Sequence, residues 1–338
     1  MKGWKIVKPL TLQEEEIFEQ EQSSSLAKVK ITKALITLSD VLRFQDEIEG
    51  DVVVLGSSGL GVVSETETNL FGLEKGQHVY IVPNSPCKNC HNCKSGNESQ
   101  CSDLQVAGVD TDGFLCDFAS VDPAKLFILP ESVSDLEALF IEHISLAISV
   151  VDKLAIQKGD YVAIVGANNF GNILAQLLIY YQAVPIIVTT NEEDYKIAKD
   201  SGIYYVLGSD ENWQKEVSSI TSGRMTKSVV YIADCNIPTA KAFSLASFNA
   251  GVAYTGVTLK NTSVSFSQAV KKQLQIQCIN SRFGNTATAI NLIANKAINF
   301  SHLKLDSANY DQVPSVLRKM SDTLEKNGKI YETVVDLV

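Results

Sequence analysis

The stretch from Gly159 to Gly202 reads GDYVAIVGANNFGNILAQLLIYYQAVPIIVTTNEEDYKIAKDSG. An apolar run from Tyr161 to Val165 meets a turn at Gly166, and the spacing of apolar residues then lengthens from that of a strand to that of a helix. A second apolar run, Pro185 to Val188, follows. Strand, glycine turn, helix and strand in this order form a βαβ unit. Further apolar runs at YYVLG (204–208), SVVYIAD (228–234), GVAYTGV (251–257) and QIQCINS (275–281) are separated by helical patterns such as IPTAKAFSLASF (237–248). Alternation of this kind predicts a parallel sheet covered by helices on both faces, a doubly wound α/β fold over residues 151–280.

The flanking sequence has a different character. Short alternating or apolar runs, AKVKITKALI (27–36), DVVVLGSSGLGVV (51–63) and HVYIVP (78–83), are punctuated by Gly, Pro and Asn and predict a mostly β domain up to residue 150. After Ser281 come a helix in NTATAINLIANKAI (285–298), an amphipathic helix around SVLRKMSDTLEKN (315–327) stopped by Gly328, and a last strand in KIYETVVDL (329–337). The acidic run EEEIFEQEQSSS (14–25) is expected to be a solvated loop.

Composition narrows the partners. The 338 residues are 45% hydrophobic and 20% charged, which suits a globular protein of two domains. A net charge of −10, with no basic run beyond Lys271-Lys272, argues against nucleic acid. The N-terminal MKGWKIVKPL has no signal-peptide core, and no apolar stretch reaches membrane-spanning length, so a cytoplasmic protein that does not enter membranes is expected.

Four of the seven cysteines, Cys87, Cys90, Cys93 and Cys101, stand in PCKNCHNCKSGNESQC with the spacing C-x2-C-x2-C-x7-C. Four soft ligands in one short loop suit a tetrahedral zinc ion. An iron–sulfur cluster and disulfides are the competing readings. The ferredoxin pattern, however, continues with a three-residue gap and Cys-Pro, and here Ser102 follows the fourth cysteine. A closed four-sulfur site has no open coordination position, so the expected ion, one per subunit, is structural. Cys116, Cys235 and Cys278 are scattered and are expected to be reduced, buried thiols.

The order of these parts resembles the zinc-containing medium-chain dehydrogenases, especially the alcohol, polyol and threonine dehydrogenase branch. The opening MKGWKIVKPL, GVVSETETNLFGLEKGQHVYIVP before the cysteines, DGFLCDFASV, LFILPESVSDLEALFIE and KGDYVAIVG carry the likeness over nearly the whole chain. The resemblance implies a GroES-like catalytic domain from residues 1–150 and 281–338, with a Rossmann domain inserted between them. It also implies an NAD or NADP cofactor, a small-molecule substrate, and a homodimer or homotetramer joined at the edge of the Rossmann sheet.

The glycine turn departs from the pattern this implies. Such turns bring backbone N–H groups at a helix N-terminus against a pyrophosphate. Here the turn reads Gly166-Ala167-Asn168-Asn169-Phe170-Gly171, and a side chain at Asn168 stands where the middle glycine would admit the pyrophosphate. Thr189, with Thr190 beside it, replaces the acidic residue that grips the ribose hydroxyls. Asn191, Glu192, Glu193 and Asp194 follow, with no Arg for a 2′-phosphate. On electrostatics NAD is favoured over NADP. By resemblance, Gly256, Ser281 and Arg282 lie toward the nicotinamide end.

Members of the family hold a second, catalytic zinc with a cysteine in a motif like G-I-C-G-S-D, the histidine of G-H-E, and a later acid or cysteine. Laid on this chain, the first motif is Leu35-Ile36-Thr37-Leu38-Ser39-Asp40 and the second Gly56-Ser57-Ser58-Gly59. Thr37, Ser57 and Ser58 thus stand where Cys, His and Glu are expected, and neutral hydroxyls are poor zinc ligands. Only Glu142 keeps a ligand type. Ser39 corresponds to the start of a proton relay, and Asp40, Glu142 and His143 are candidates for acid–base work. The competing reading has Ser39 and Asp40 starting the helix before VLRF and His143 as a structural histidine. Three functions therefore compete. The first is an oxidoreductase without catalytic metal and the second a non-catalytic homologue serving as scaffold. The third is a site in which Asp40, Glu142 and His143 bind a different metal.

Overall fold

The computed structural model describes residues 2–16, 26–45, 53–66, 72–233, 235–256, 263–280 and 284–337. They form two compact units. The first comprises residues 1–142, 286–294 and 305–338, and the second residues 143–285 and 295–304.

In the second unit, alternation of strand and helix produces a six-stranded parallel sheet. Its strands run in the spatial order 205–207, 184–188, 161–165, 226–232, 246–255, 275–278. Numbered along the chain this is 3-2-1-4-5-6, the Rossmann order, in which the direction of winding reverses between the first and fourth strands. The inner strands are apolar on both faces because helices cover both. Val162, Ala163, Ile164 and Val165 are all fully buried. The helix Asn169–Tyr180 is buried from Asn169 through Leu178. A helix so enclosed must find partners for its polar side chains, and Asn169, Asn172 and Gln176 find them along one stripe. Gln176 donates to Asn299 O at 3.0 Å and accepts from Asn299 N at 2.7 Å, and Asn172 receives a bond from Gln176 and donates to Ser201. Asn169 makes the same two-way amide contact with Lys304, at 2.8 and 3.1 Å. Each such bond contributes about 1 kcal/mol net, and more is lost if one buried partner is removed. These contacts hold residues 295–304 on the second unit, where the sequence reading had kept everything after 281 with the first domain. The helix Ile141–Lys153 likewise enters the second unit at His143, ahead of the expected boundary.

The first unit is built on a seven-stranded, largely antiparallel sheet. Its path runs 306–309, 333–336, 27–36, 58–65, 78–81, 126–128, with strand Phe118–Val121 also pairing to 27–36. Alternation in AKVKI sends Ala27, Val29 and Ile31 to the core and leaves Lys30 exposed. Val313, Leu317 and Met320, spaced along the helix Val313–Asn327, close the same core. Gly328, at φ +67°, ends that helix. In the acidic run, Glu14–Glu16 finishes the strand Thr11–Glu16, so this part is a hairpin arm rather than a loop. Residues 17–25 lie outside the described residues. The helix expected over 237–248 stops at Ser244, and the chain enters a strand at Ala246.

Candidate functional sites

Pro86 to Cys101 form a lobe of tight turns that bring four sulfurs together. The ligand atoms of Cys87, Cys90, Cys93 and Cys101 all lie within 4.8 Å of one another, with Cys87–Cys93 and Cys90–Cys101 at 4.0 Å. A disulfide needs about 2 Å, so these are four thiols. A tetrahedral zinc with bonds of about 2.3 Å sets its sulfurs about 3.8 Å apart, which the lobe matches closely. Backbone N–H groups point at the sulfurs: Cys87 N to Cys101 Sγ and Cys90 N to Cys87 Sγ at 3.3 Å, Cys93 N to Cys90 Sγ and Asp103 N to Cys101 Sγ at 3.4 Å. Donors aimed at sulfur stabilise thiolate, as the surroundings of metal ligands generally do. The backbone donors from Cys93 and Ser102 pull the Cys90 thiol down to about 5, while burial and the neighbouring thiols push Cys93 up to about 12. The donor set fits zinc.

Among the remaining cysteines, Cys116 is buried and its thiol donates to Phe118 O at 3.1 Å. Burial holds its pKa well above the ordinary thiol value. Cys235 is half-buried and Cys278 exposed, against expectation, because Cys278 ends the outermost strand of its sheet and has no neighbouring strand beyond it among the described residues.

The second candidate site is assembled around Asp40 in the first unit. Thr37 caps the helix Leu38–Phe44, and Asp40, three residues on, reaches back to it. The Asp40 Oδ2 accepts from Thr37 N at 2.8 Å and from Thr37 Oγ1 at 2.9 Å, while Oδ1 accepts from Gly56 N at 3.0 Å. Asp40 is 2% exposed, and burial raises its pKa against the pull of these hydrogen bonds. The carboxylate thereby ties residues 37–40 to the turn at Gly56, whose φ of +95° suits glycine. Ser57 and Ser58 are buried, and Ser58 Oγ donates to Leu139 O at 3.5 Å, which brings in the segment leading to Glu142. Ser39 is half-buried and Glu142 buried. Glu142 closes the first unit, and the half-buried His143 opens the second. Three segments distant in sequence thus converge, but the groups at positions 37, 40 and 56 are engaged with one another and Ser58 with the Leu139 carbonyl.

The third site is at the carboxyl ends of the parallel strands. Gly166, at φ +102°, ends the strand Tyr161–Val165, and a Cβ on Gly171 would lie 2.8 Å from Gly166 O, so the helix can approach the turn only with glycine there. Asn168 is the N-cap of the helix Asn169–Tyr180. Its Oδ1 accepts from Gly171 N at 3.0 Å. The side chain therefore takes up one of the first-turn donors that a bound anion would otherwise use. Thr189 is buried, its Oγ1 accepting from Asn191 N at 3.1 Å, and Thr190 is exposed. Thr255, just before Gly256 (φ +102°), has a buried hydroxyl with no hydrogen-bond partner among the described residues. Ser281 and Arg282 lie outside the described residues. One group escaped the sequence reading altogether. Lys304, held by its backbone to Asn169, forms an ion pair with Glu193 on the helix Glu192–Asp200. Nothing near position 304 in the sequence signals this; only the fold brings the two together.

A glycine turn at the switch point of a 3-2-1-4-5-6 sheet, the helix N-terminus that follows it and an orphaned buried hydroxyl two strands away fit a dinucleotide. The fold and the four-thiol lobe together are those expected of a dehydrogenase with a zinc lobe. Comparison with known proteins agrees. Residues 23–131 match the alcohol dehydrogenase GroES-like domain. An uncharacterized zinc-type alcohol dehydrogenase-like protein of Haemophilus influenzae is 27% identical over 308 residues, covering 91% of this chain and 86% of its own. Two solved structures share the fold. A short chain alcohol dehydrogenase of Escherichia coli complexed with NADH superposes with TM-score 0.86 at 22% identity, covering 100% of this chain and 99% of that one. A dehydrogenase of Sinorhizobium meliloti described as zinc-binding, bound to NADP, gives TM-score 0.85 at 19% identity, covering 99% of both chains. These matches support a protein of the zinc-containing medium-chain dehydrogenase/reductase kind. No helix among the described residues is long and apolar enough to cross a membrane.

Proposed function

We propose that this chain is an NAD(P)-dependent oxidoreductase that keeps the structural zinc of its family and works on a small-molecule substrate without the catalytic zinc. The observation carrying the first half is the Rossmann sheet with its glycine turn at the switch point and the unpartnered Thr255 hydroxyl at the same end of the sheet. The second half is supported by Thr37, Ser57 and Ser58 at the ligand positions, and by an Asp40 carboxylate already committed to Thr37 and Gly56. That commitment occupies three of about four acceptor positions on the carboxylate and weakens the reading in which Asp40 joins Glu142 and His143 around a different metal.

Cys87, Cys90, Cys93 and Cys101 would hold zinc, whose contribution in a closed four-sulfur site is to the fold. A bound dinucleotide would supply the hydride-transfer chemistry. The chain's own part is to seat its pyrophosphate on the first turn of the helix Asn169–Tyr180, where backbone donors and the helix dipole favour an anion. Gly256 and Thr255 would lie toward the nicotinamide end of the dinucleotide. With no metal to polarise the substrate, Glu142 and His143 are the candidate proton donors and acceptors, and Ser39 the candidate relay. Of the two cofactors, NAD suits the acidic first turn Glu192-Glu193-Asp194 better. Pairing of subunits at the edge strand Gln275–Cys278 would cover Ile276, which is 40% exposed, and a cytoplasmic location fits the reduced thiols.

The second reading, a non-catalytic homologue acting as a scaffold, is favoured by the mutual satisfaction of Asp40, Thr37 and Gly56 and by the Asn168 cap. Fluorescence titration of the purified protein with NADH and NADPH separates the two. Saturable binding of at least one is expected. Failure of both to bind overturns the oxidoreductase reading in favour of the scaffold.

A further inference from the structure

The sequence offers no Arg after the second strand of the Rossmann sheet, yet the structure brings a cation there from elsewhere. Asn169, at the first turn of the helix following the glycine turn, clamps the backbone of Lys304 through both atoms of its amide, at 2.8 and 3.1 Å. From that anchor the Lys304 side chain reaches Glu193, in the first turn of the helix Glu192–Asp200. These two first turns follow the carboxyl ends of 161–165 and 184–188, which are adjacent parallel strands. The lysine therefore bridges the ends of the βαβ unit, the place where such a unit holds the ribose of a dinucleotide. Thr189, at the position where an acid commonly receives the ribose hydroxyls, is neutral, buried and already bonded to Asn191 N. The Glu193–Lys304 pair thus brings a cation to this turn, beside the acids Glu192 and Asp194, where the ribose would be read.

We propose that Glu193 and Lys304 act together as the cofactor-selecting pair of this site, with Glu193 holding the Lys304 ammonium so that the unphosphorylated dinucleotide is preferred. The inference rests on the dinucleotide-binding reading above. A 2′-phosphate brings about two negative charges and needs an unopposed cation. While Glu193 neutralises Lys304, no unopposed cation meets a 2′-phosphate and NADP(H) is disfavoured, whereas a ribose hydroxyl can donate to the Glu193 carboxylate. Both side chains are substantially exposed, at 36% and 51%, so the pair contributes little to stability and replacing either should leave the fold intact.

The test is the ratio of NADPH to NADH affinity, read by fluorescence titration of the zinc-loaded, full-length protein. The wild type should favour NADH. In Glu193→Gln the ratio should move toward NADPH by about tenfold or more, the worth of one charge-assisted hydrogen bond. In the double variant Glu193→Gln/Lys304→Met that gain should vanish, because the cation is gone. An unchanged ratio in Glu193→Gln, or a gain that survives in the double variant, overturns the inference while leaving the dinucleotide reading intact. Absence of binding by both cofactors to the wild type overturns the reading itself, and the inference with it.

Discussion

The cysteine lobe and the pocket around Asp40 differ in what their polar groups face. In the lobe, four sulfurs within 4.8 Å turn toward one another, and the backbone donors of Cys87, Cys90, Cys93 and Asp103 are aimed at them. Like groups converging this closely repel once ionised, so the arrangement suits a cation. Around Asp40 an acceptor meets donors instead: Thr37 N, Thr37 Oγ1 and Gly56 N fill the carboxylate, and Ser58 turns to a main-chain carbonyl. A set of polar groups that has closed on itself needs no ion. In one chain the two regions show that a metal site is recognised by unmatched electron pairs rather than by the number of polar residues.

The largest way to break this contrast is metal analysis. One zinc per chain is expected, and Cys93→Ser should lose it. Structural zinc in small domains contributes on the order of 10–16 kcal/mol, so the lobe of this variant should unfold locally, seen as rapid proteolysis between residues 86 and 103 and a lowered Tm. Two tightly held zinc ions in the wild type would show that the second region is also a metal site and would end the comparison.

Asp40 sharpens the other half. Asp40→Ala leaves one buried and one half-buried backbone N–H group without their acceptor and should cost about 2–4 kcal/mol by urea unfolding. A catalytic acid–base role alone would reduce turnover with little loss of stability. The pH dependence has a definite sign. Burial raises the Asp40 pKa above its unfolded value of 3.8, so the protonated carboxyl stabilises the fold fully below that pH, and the contribution is lost as pH rises through the folded value. Replacing Asp40 with Asn, which does not titrate, should therefore cost more stability near pH 4 than near pH 7. A cost that grows with pH would mean that the hydrogen bonds from Thr37 and Gly56 outweigh desolvation.

These regions were unequally legible in the sequence. The doubly wound sheet could be read because period and punctuation are local: Val162–Val165, Gly166 and the buried face of 169–178 lie within one stretch. The cysteine lobe was legible for the same reason, its ligands being confined to fifteen residues from Cys87 to Cys101. The Asp40 region was legible only as a loss, by laying Thr37, Ser57 and Ser58 on a resembling motif. That Asp40 bonds Gly56, sixteen residues away across a turn, has no local signature. Lys304 shows the limit most sharply, since 111 residues separate it from Glu193 and 135 from Asn169. Residues 295–304 follow a helix assigned to one unit yet pack on the other, because the buried amides of Asn169 and Gln176 need partners that the Rossmann strands do not provide.

The smallest expected effect falls between the two extremes, at Asn168. Its side chain, like Asp40, has closed on a local donor, Gly171 N, yet it stands at a helix N-terminus that is otherwise shaped for an anion. Replacing an N-cap Asn with Gly costs only a few tenths of a kcal/mol, since glycine caps nearly as well. Asn168→Gly should therefore barely move the Tm. The same change returns the Gly171 N–H to whatever occupies the site, and one recovered hydrogen bond is worth about 0.5–1.5 kcal/mol. NADH affinity should rise severalfold in the fluorescence titration, with the NADPH to NADH ratio unchanged, because the pyrophosphate is common to both cofactors. Unaltered affinity would show that the cap sits clear of the ligand, and that Asn168 is a substitution the dinucleotide does not feel.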